Sequence, residues 1–178
     1  MWLRYLILCC LCAALTQLLP GVWILAKAEL AQVLIERSWM SGGRAKPWPW
    51  ADTWPVLRLQ VPHLRVDLFI LEGGRGNALA FGPGRVHQYG ARGGGLLIAG
   101  HRDTHFRFLQ NLQVGDAIRL QSPRGAWQHW TVDSVSVVDS RLQALRPTER
   151  GLLLVTCYPF DALRAGGPLR FVISARRQ

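Results

Sequence analysis

From about residue 56 to the C-terminus, short segments either alternate between hydrophobic and polar residues or form brief apolar runs. The segments are VLRLQV (56–61), LRVDLFIL (64–71), GGGLLIAG (93–100), AIRLQS (117–122), WQHWTVDSVSVVDS (127–140), LLLVTC (152–157) and LRFVISA (169–175). Such segments are typical of β-strands, and the Gly- and Pro-containing stretches between them are typical of turns. Seven or eight short strands at this spacing predict an all-β fold, either a closed barrel or a sandwich.

The N-terminal part has a different pattern. From Tyr5 to Ala26 there are 22 residues without a charge, which is long enough to cross a bilayer as a helix. We therefore predict an N-terminal transmembrane helix that anchors the chain. A cleaved signal peptide is the alternative, because the sequence AKA at 26–28 resembles a small-x-small cleavage site. Both interpretations place the rest of the chain outside the cytoplasm.

The stretch between the apolar run and the strands predicts a helix followed by a linker. In KAELAQVLIERSW the apolar residues with helical spacing are Leu30, Val33, Leu34 and Trp39. The next segment, SGGRAKPWPWADTWP (41–55), is rich in Gly, Pro and Trp and has no periodic pattern. The predicted parts of the chain are an anchor (1–27), a helix and Trp/Pro-rich linker (28–55) and a barrel (56–178).

Composition excludes a disordered chain and argues against a nucleic-acid partner. Hydrophobic residues make up 49% of the 178 residues and charged residues 18%, so the chain can bury a substantial core. The formal net charge is +10, which would suit anionic lipid headgroups or an acidic cell-wall polymer. The basic residues are scattered singly rather than clustered, however, and we expect no nucleic-acid binding.

Cys157 is the candidate nucleophile. The other three of the four cysteines lie within the uncharged N-terminal run, so Cys157 is the only cysteine of the predicted exported part. It follows the strand-like residues LLLVT and precedes a turn at Tyr158-Pro159. One interpretation is a small buried hydrophobic residue. The other is a reactive thiol, because an unpaired thiol is a liability in an oxidising compartment unless it is used.

A reactive thiol needs a neighbouring base, because a free thiol is mostly protonated at neutral pH. The histidines are His63, His87, His101, His105 and His129. His101 follows LLIAG, so it also lies at the end of an apolar strand, where it could sit beside Cys157. A structural histidine is the alternative for His101, and His87, in the Gly-rich loop FGPGRVHQYG, is a weaker candidate base. His101 and His105 have the spacing of two metal ligands on a helix, but no third ligand is evident.

Arg170 is the candidate oxyanion donor. It begins the strand LRFVISA, which follows the loop after Cys157. If the two strands are antiparallel neighbours, the start of the second lies beside the end of the first, and Arg170 faces Cys157. Attack on an amide carbonyl creates an oxyanion that needs fixed donors. An ordinary surface arginine is the alternative.

Taken together, GHRDTHF, LLLVTCYPF and GGPLRFVISA, with the order His, Cys, Arg, resemble the sortases, the cysteine transpeptidases of bacterial surfaces. The resemblance covers about residues 56–176. LLLVTC resembles the sortase pattern T-L-x-T-C, except that leucine replaces the first threonine, and an arginine follows the cysteine by 13 residues. PWPWADTWPV, GHRDTHF and TCYPF resemble the sortases of Gram-negative proteobacteria in particular.

This resemblance implies an eight-stranded sortase barrel and a set of roles. Cys157 would attack the Thr–Gly bond of a Leu-Pro-x-Thr-Gly-like signal to form a thioester, which an amine or water then resolves. His101 would act as general acid and base, Arg170 would hold the substrate and the oxyanion, and Thr156 would contribute to substrate binding. The implied partners are a protein with a C-terminal sorting signal and an acceptor amine of unknown identity. No cofactor and no metal are expected, since no acidic cluster matches the calcium site of some sortases. The implied location is the inner membrane, with a single span and a periplasmic catalytic domain.

Other cysteine enzymes fit the sequence less well. L,D-transpeptidases carry the cysteine in an S-x-G-C motif, which VTCYPF lacks. Papain-like peptidases place the cysteine before the histidine, whereas His101 precedes Cys157 here. A membrane-anchored binding barrel without enzymatic activity is a further alternative, although it leaves the unpaired thiol without a use.

Overall fold

The computed structural model describes residues 2–43, 45–88, 95–162 and 166–178. The helices are α1 (Trp2–Met40) and α2 (Asn77–Phe81), with 3₁₀ segments at Pro62–Leu64 and Arg107–Asn111. The strands are β1 (Pro55–Val61), β2 (Val66–Glu72), β3 (Gly84–Gln88), β4 (Leu96–Ala99), β5 (Ala117–Gln121), β6 (Trp127–Asp139), β7 (Gly151–Cys157) and β8 (Leu169–Arg177).

The eight strands close into one barrel in the order β1-β2-β3-β4-β7-β8-β6-β5. Most neighbours are antiparallel, and the two parallel pairs are β2 with β3 and β4 with β7. The predicted all-β, eight-stranded closed barrel is therefore confirmed. Parallel pairing of β4 with β7 matters most for the site, because it brings the C-terminal ends of two separate strands together.

Strand β3 was not predicted, and α2 was not predicted either. The segment FGPGRVHQYG contains three glycines and a proline, which indicate a loop by sequence, yet Gly84–Gln88 forms a strand. Antiparallel pairing with β4 determines this conformation, overriding the weak local preference of the segment. The predicted strand at 93–100 is shorter in the structure and begins at Leu96; its residues 93 and 94 lie outside the described part.

Alternate residues of the strands pack on opposite faces of the barrel wall. On β7, Leu152 and Leu154 belong to the large interior cluster, whereas Leu153 and Val155 belong to a smaller cluster on the outer face. The outer cluster is formed by Leu97, Val155 and Val172, with Val138, Leu145 and Leu153 packed against it. Because strand side chains alternate between faces, this division fixes which side each later residue of a strand occupies.

The C-terminal half of α1 packs on the barrel. Ala31 and Ile35, one turn apart, are buried. The ring of Trp39 lies 5.6 Å from that of Phe69 on β2, and Gln32 donates a 2.8 Å hydrogen bond to the carbonyl of Phe81. Over the residues described, neither helix combines the length and the apolar character needed to cross a bilayer.

Candidate active site

Cys157 is the last residue of β7, and His101 lies two residues beyond the end of β4, which pairs with β7. The parallel register pairs Leu96 with Leu152 and Ala99 with Val155, and the same offset continued for two more residues would set position 101 beside position 157. Gly100 continues the contact, since its N–H donates a 3.1 Å hydrogen bond to the carbonyl of Val155. The two candidate residues therefore leave adjacent strand ends side by side, as the sequence predicts.

Thr156 joins these two strand ends. Its hydroxyl donates a 2.7 Å hydrogen bond to the carbonyl of Gly100, and the residue is only 2% exposed. The resemblance implied substrate binding for Thr156, and that role stays a prediction. In the structure, the Thr156 side chain forms a buried hydrogen bond that connects β7 to Gly100, the residue before His101.

Arg170 lies opposite Cys157. The antiparallel pair of β7 and β8 aligns Cys157 with Arg170 and Val155 with Val172, which is the arrangement expected for the two strands. Directly opposed residues on one face of a sheet have Cβ atoms about 4.5–5.5 Å apart. Arg170 Nη1 donates to the carbonyls of Gly167 and Leu169, at 2.6 and 2.8 Å, which holds the guanidinium against the end of the preceding loop.

Cys157 and Arg170 share the outer face of the barrel wall. Cys157 has the same parity as Val155, and Arg170 the same parity as Val172, and both valines belong to the outer cluster. His101 is exposed, while Cys157 and Arg170 are half-buried. Across the strands β4, β7 and β8, the order is therefore His, Cys, Arg, and the apolar outer cluster continues directly from this row along the wall.

Aromatic side chains pack around the turn after Cys157. The rings of Tyr158 and Phe171 stack with centroids 6.1 Å apart, and Phe160 meets Phe171 edge-on at 5.1 Å. The partly buried ring of Phe171 also packs against the interior cluster. These contacts hold the first residues of the loop against β8 and so restrict the backbone on both sides of the thiol.

Gly100, the residue before His101, packs closely against the ring of Phe106. A Cβ at position 100 would lie 2.7 Å from Phe106 Cγ, and Phe106 is fully buried. Since the ring has no free space to move into, we expect Gly100→Ala to lower the free energy of unfolding by about 1–3 kcal/mol. Denaturant unfolding monitored by circular dichroism measures this loss.

Phe106→Leu provides the matched comparison for that variant. The smaller side chain destabilises the core when introduced alone, but it also relieves the contact with an alanine at position 100. The double variant should therefore lose less free energy than the sum of the two single losses. Strict additivity would show that the predicted contact does not limit Gly100.

The other histidines have different surroundings. Nε2 of His63 lies 3.3 Å from Asp116, and His129 is exposed on β6. His105 is half-buried, and burial lowers its pKa, which favours the neutral imidazole. His87 was expected in a loop but belongs to β3, and its side chain lies outside the described part. Within the described part, no three His, Cys, Asp or Glu side chains are arranged to hold a metal ion.

Arg102 and Asp103 are additional residues at the site, and sequence reasoning missed both. Arg102 is 7% exposed although it directly follows an exposed histidine. Its guanidinium donates to both carboxylate oxygens of Asp103, at 2.8 and 3.2 Å. This hydrogen-bonded pair raises the pKa of Arg102 and lowers that of Asp103. The only available signal was their position inside the motif GHRDTHF.

Residues 59–178 match the family model described as "Sortase domain". Among curated proteins, Sortase D of Bacillus subtilis (strain 168) is 32% identical over 123 residues, which is 67% of this chain and 62% of that protein. The chain thus spans less than two thirds of the length of this relative.

This chain also resembles sortases of known structure. Sortase A from Corynebacterium diphtheriae superposes with a TM-score of 0.58 at 25% identity, covering 72% of this chain and 63% of that one. A Clostridium perfringens structure described as a Sortase D5 transpeptidase superposes with a TM-score of 0.55. It is 23% identical and covers 70% of this chain and 79% of its own, so this second likeness concerns the fold alone.

Proposed function

Because the chain belongs to the sortase family, we propose that it is a cysteine transpeptidase that cleaves a sorting signal through a thioester at Cys157. The observation that carries this proposal is the strand register. It brings the segment that carries His101 beside the last residues of β7 and pairs Cys157 with Arg170 on β8. A nucleophile, a proton carrier and a donor of hydrogen bonds are the three groups that acyl transfer requires.

In the first half-reaction, the thiolate of Cys157 attacks the carbonyl carbon of the scissile amide. The tetrahedral intermediate collapses as the C–N bond breaks, and the imidazolium of His101 gives its proton to the leaving amine. The product is a thioester between Cys157 and the new C-terminus of the substrate. In the second half-reaction, an amine or water attacks the thioester and loses a proton to His101, and the C–S bond breaks to release the thiolate of Cys157.

Arg170 holds the carbonyl oxygen during both half-reactions. Nη1 is bonded to the carbonyls of Gly167 and Leu169, and these bonds hold a planar fork of donors on the residue that pairs with Cys157. Donors that are fixed before the reaction stabilise the developing negative charge without reorganising.

The finer substrate assignment is a C-terminal Leu-Pro-x-Thr-Gly-like signal, cleaved between Thr and Gly. It is supported by the threonine and cysteine of LLLVTC and by the arginine 13 residues later. PWPWADTWPV, GHRDTHF and TCYPF support placement among the sortases of Gram-negative proteobacteria. The acceptor is an amine, with water as the competing nucleophile.

Mass spectrometry of the full chain with such a peptide tests the proposal. The expected adduct is the mass of the peptide up to Thr, attached to the tryptic fragment that contains Cys157 and lost on treatment with hydroxylamine. Rapid alkylation of Cys157 near neutral pH should accompany it. A thiol that alkylates slowly and forms no adduct would instead favour the non-enzymatic barrel.

We further propose that the N-terminal run is a single-span anchor in the inner membrane, with the barrel in the periplasm. The support is the uncharged stretch from Tyr5 to Ala26, many of whose side chains lie outside the described part. Protease added to spheroplasts should digest the barrel, while an intact inner membrane protects a cytoplasmic marker. Protection of residues 56–178 would contradict this orientation, and a mature N-terminus near Ala28 would indicate a cleaved signal peptide.

A further inference from the structure

Arg102 connects the segment that carries His101 to the loop that follows Cys157. Its Nη1 donates to the carbonyl of Pro159, and its Nη2 donates a 2.9 Å bond to the carbonyl of Ala162. These partners are 57 and 60 residues away in sequence. With Nε and Nη2 also bonded to Asp103, all three guanidinium nitrogens are occupied.

This arrangement is specific to arginine. A lysine ammonium is one compact centre, so it cannot reach the carboxylate and both loop carbonyls at once. The side chain is also almost fully buried, and a buried charge is tolerated only when it is paired and hydrogen-bonded. The contacts therefore describe a built connection rather than a surface arginine that happens to touch a loop.

The guanidinium also contributes a positive charge near the thiol. Pro159 is two residues beyond Cys157, and a negative charge on Cys157 acts on Arg102 to raise its pKa further. Its bond to the carbonyl of Pro159 holds the guanidinium on the loop next to the thiol, and a positive charge placed beside a cysteine is an arrangement that generally promotes thiolate chemistry. Asp103 opposes this effect, since its carboxylate offsets part of the guanidinium charge.

We propose that Arg102 is a positioning residue that fixes His101 and Cys157 relative to each other and favours the thiolate, and that Asp103 moderates its charge. The role in turnover rests on the proposed transpeptidase function. The role in thiol ionisation does not, because it can be measured with a small alkylating reagent and without any sorting peptide.

The test uses the full chain and follows alkylation of Cys157 by iodoacetamide across pH, with mass spectrometry separating this thiol from the N-terminal cysteines. Arg102→Met should raise the alkylation midpoint by about one pH unit. Arg102→Lys should leave the midpoint closer to that of the unsubstituted protein, because the charge is kept. Both should lower kcat/KM for the sorting peptide by on the order of 10²-fold, since both misplace the reacting groups.

Asp103→Asn should shift the alkylation midpoint in the opposite direction. Asp103 is exposed, so this variant should fold even where Arg102→Met does not. Removing the carboxylate leaves the guanidinium charge less compensated, and the alkylation midpoint should fall. Arg119→Met, at an exposed position on β5, is the charge-matched control and should leave both the midpoint and kcat/KM unchanged.

Three outcomes would overturn the proposal. The first is a folded Arg102→Met protein whose midpoint and kcat/KM both stay within the range of the control. The second is an Asp103→Asn midpoint that is unchanged or raised. The third is an Arg102→Met protein that loses thermal stability while its midpoint is unchanged, which would assign Arg102 a structural role only. If the unsubstituted protein cleaves no sorting peptide while the midpoints shift as expected, the proposed function fails and the role of Arg102 in thiol ionisation stands.

Discussion

Cys157→Ala is expected to reduce cleavage of a Leu-Pro-x-Thr-Gly peptide to the uncatalysed background. Alanine has no atom that can form the thioester, so the covalent route is lost entirely. Removing a nucleophile costs on the order of 10⁴–10⁶-fold in other acyl-transfer enzymes. The fold should persist, because Cys157 is half-buried at the end of β7 and lies outside the interior cluster. The measurement is kcat/KM with a fluorogenic peptide, together with the circular dichroism spectrum.

His129→Ala is the matched control for this experiment. His129 is exposed on β6 and has no position in the row of catalytic candidates, so the variant should keep full activity. The peptide adduct should form with this control and be absent from Cys157→Ala. Turnover that persists in purified Cys157→Ala would exclude a mechanism through a thioester at this residue.

Arg170→Lys is expected to lose activity almost as completely as Arg170→Ala. Lysine keeps the charge, but it cannot bond to the loop carbonyls and also present a planar fork beside the thiol. Losing one oxyanion donor typically costs on the order of 10²–10³-fold in rate. Both variants should therefore fall at least that far in kcat/KM, while Cys157 remains open to alkylation by a small thiol reagent.

The lysine variant separates geometry from charge. A role as a surface charge alone predicts that Arg170→Lys stays near the unsubstituted protein and that only Arg170→Ala loses activity. A lysine variant within about threefold of the unsubstituted kcat/KM would therefore remove Arg170 from the oxyanion site. His101 and Cys157 would then form a dyad whose donors lie elsewhere.

The positions of His101, Cys157 and Arg170 at strand ends were predictable because each follows or begins an apolar run with clear limits. Alternation of side chains then fixes the face of the wall, once the register of β7 with its neighbours is known. The register itself could not be predicted from the sequence of any single strand. It depends on pairing between β4 and β7, which are separated by more than fifty residues and two intervening strands.

The features that sequence reasoning missed all depend on contacts between distant residues. The glycines around β3 indicate a loop, and pairing with β4 and β2 selects the extended conformation. Arg102 has the local pattern of an exposed turn residue, and its burial results from carbonyls of the loop after β7. No local periodicity reports such bonds, because the partners come together only when the barrel closes.

Because the second half of α1 packs on the barrel, it fixes how far the barrel lies from the end of the uncharged N-terminal run. Ala31 is buried against the body of the protein, and Ala26, where the uncharged run ends, lies five residues earlier on the same helix. At about 1.5 Å per residue the separation is roughly 8 Å. With the proposed anchor in place, the barrel would lie close to the lipid surface. A substrate tethered in the same membrane would then meet it at a high local concentration, and a signal on a freely diffusing protein would compete poorly.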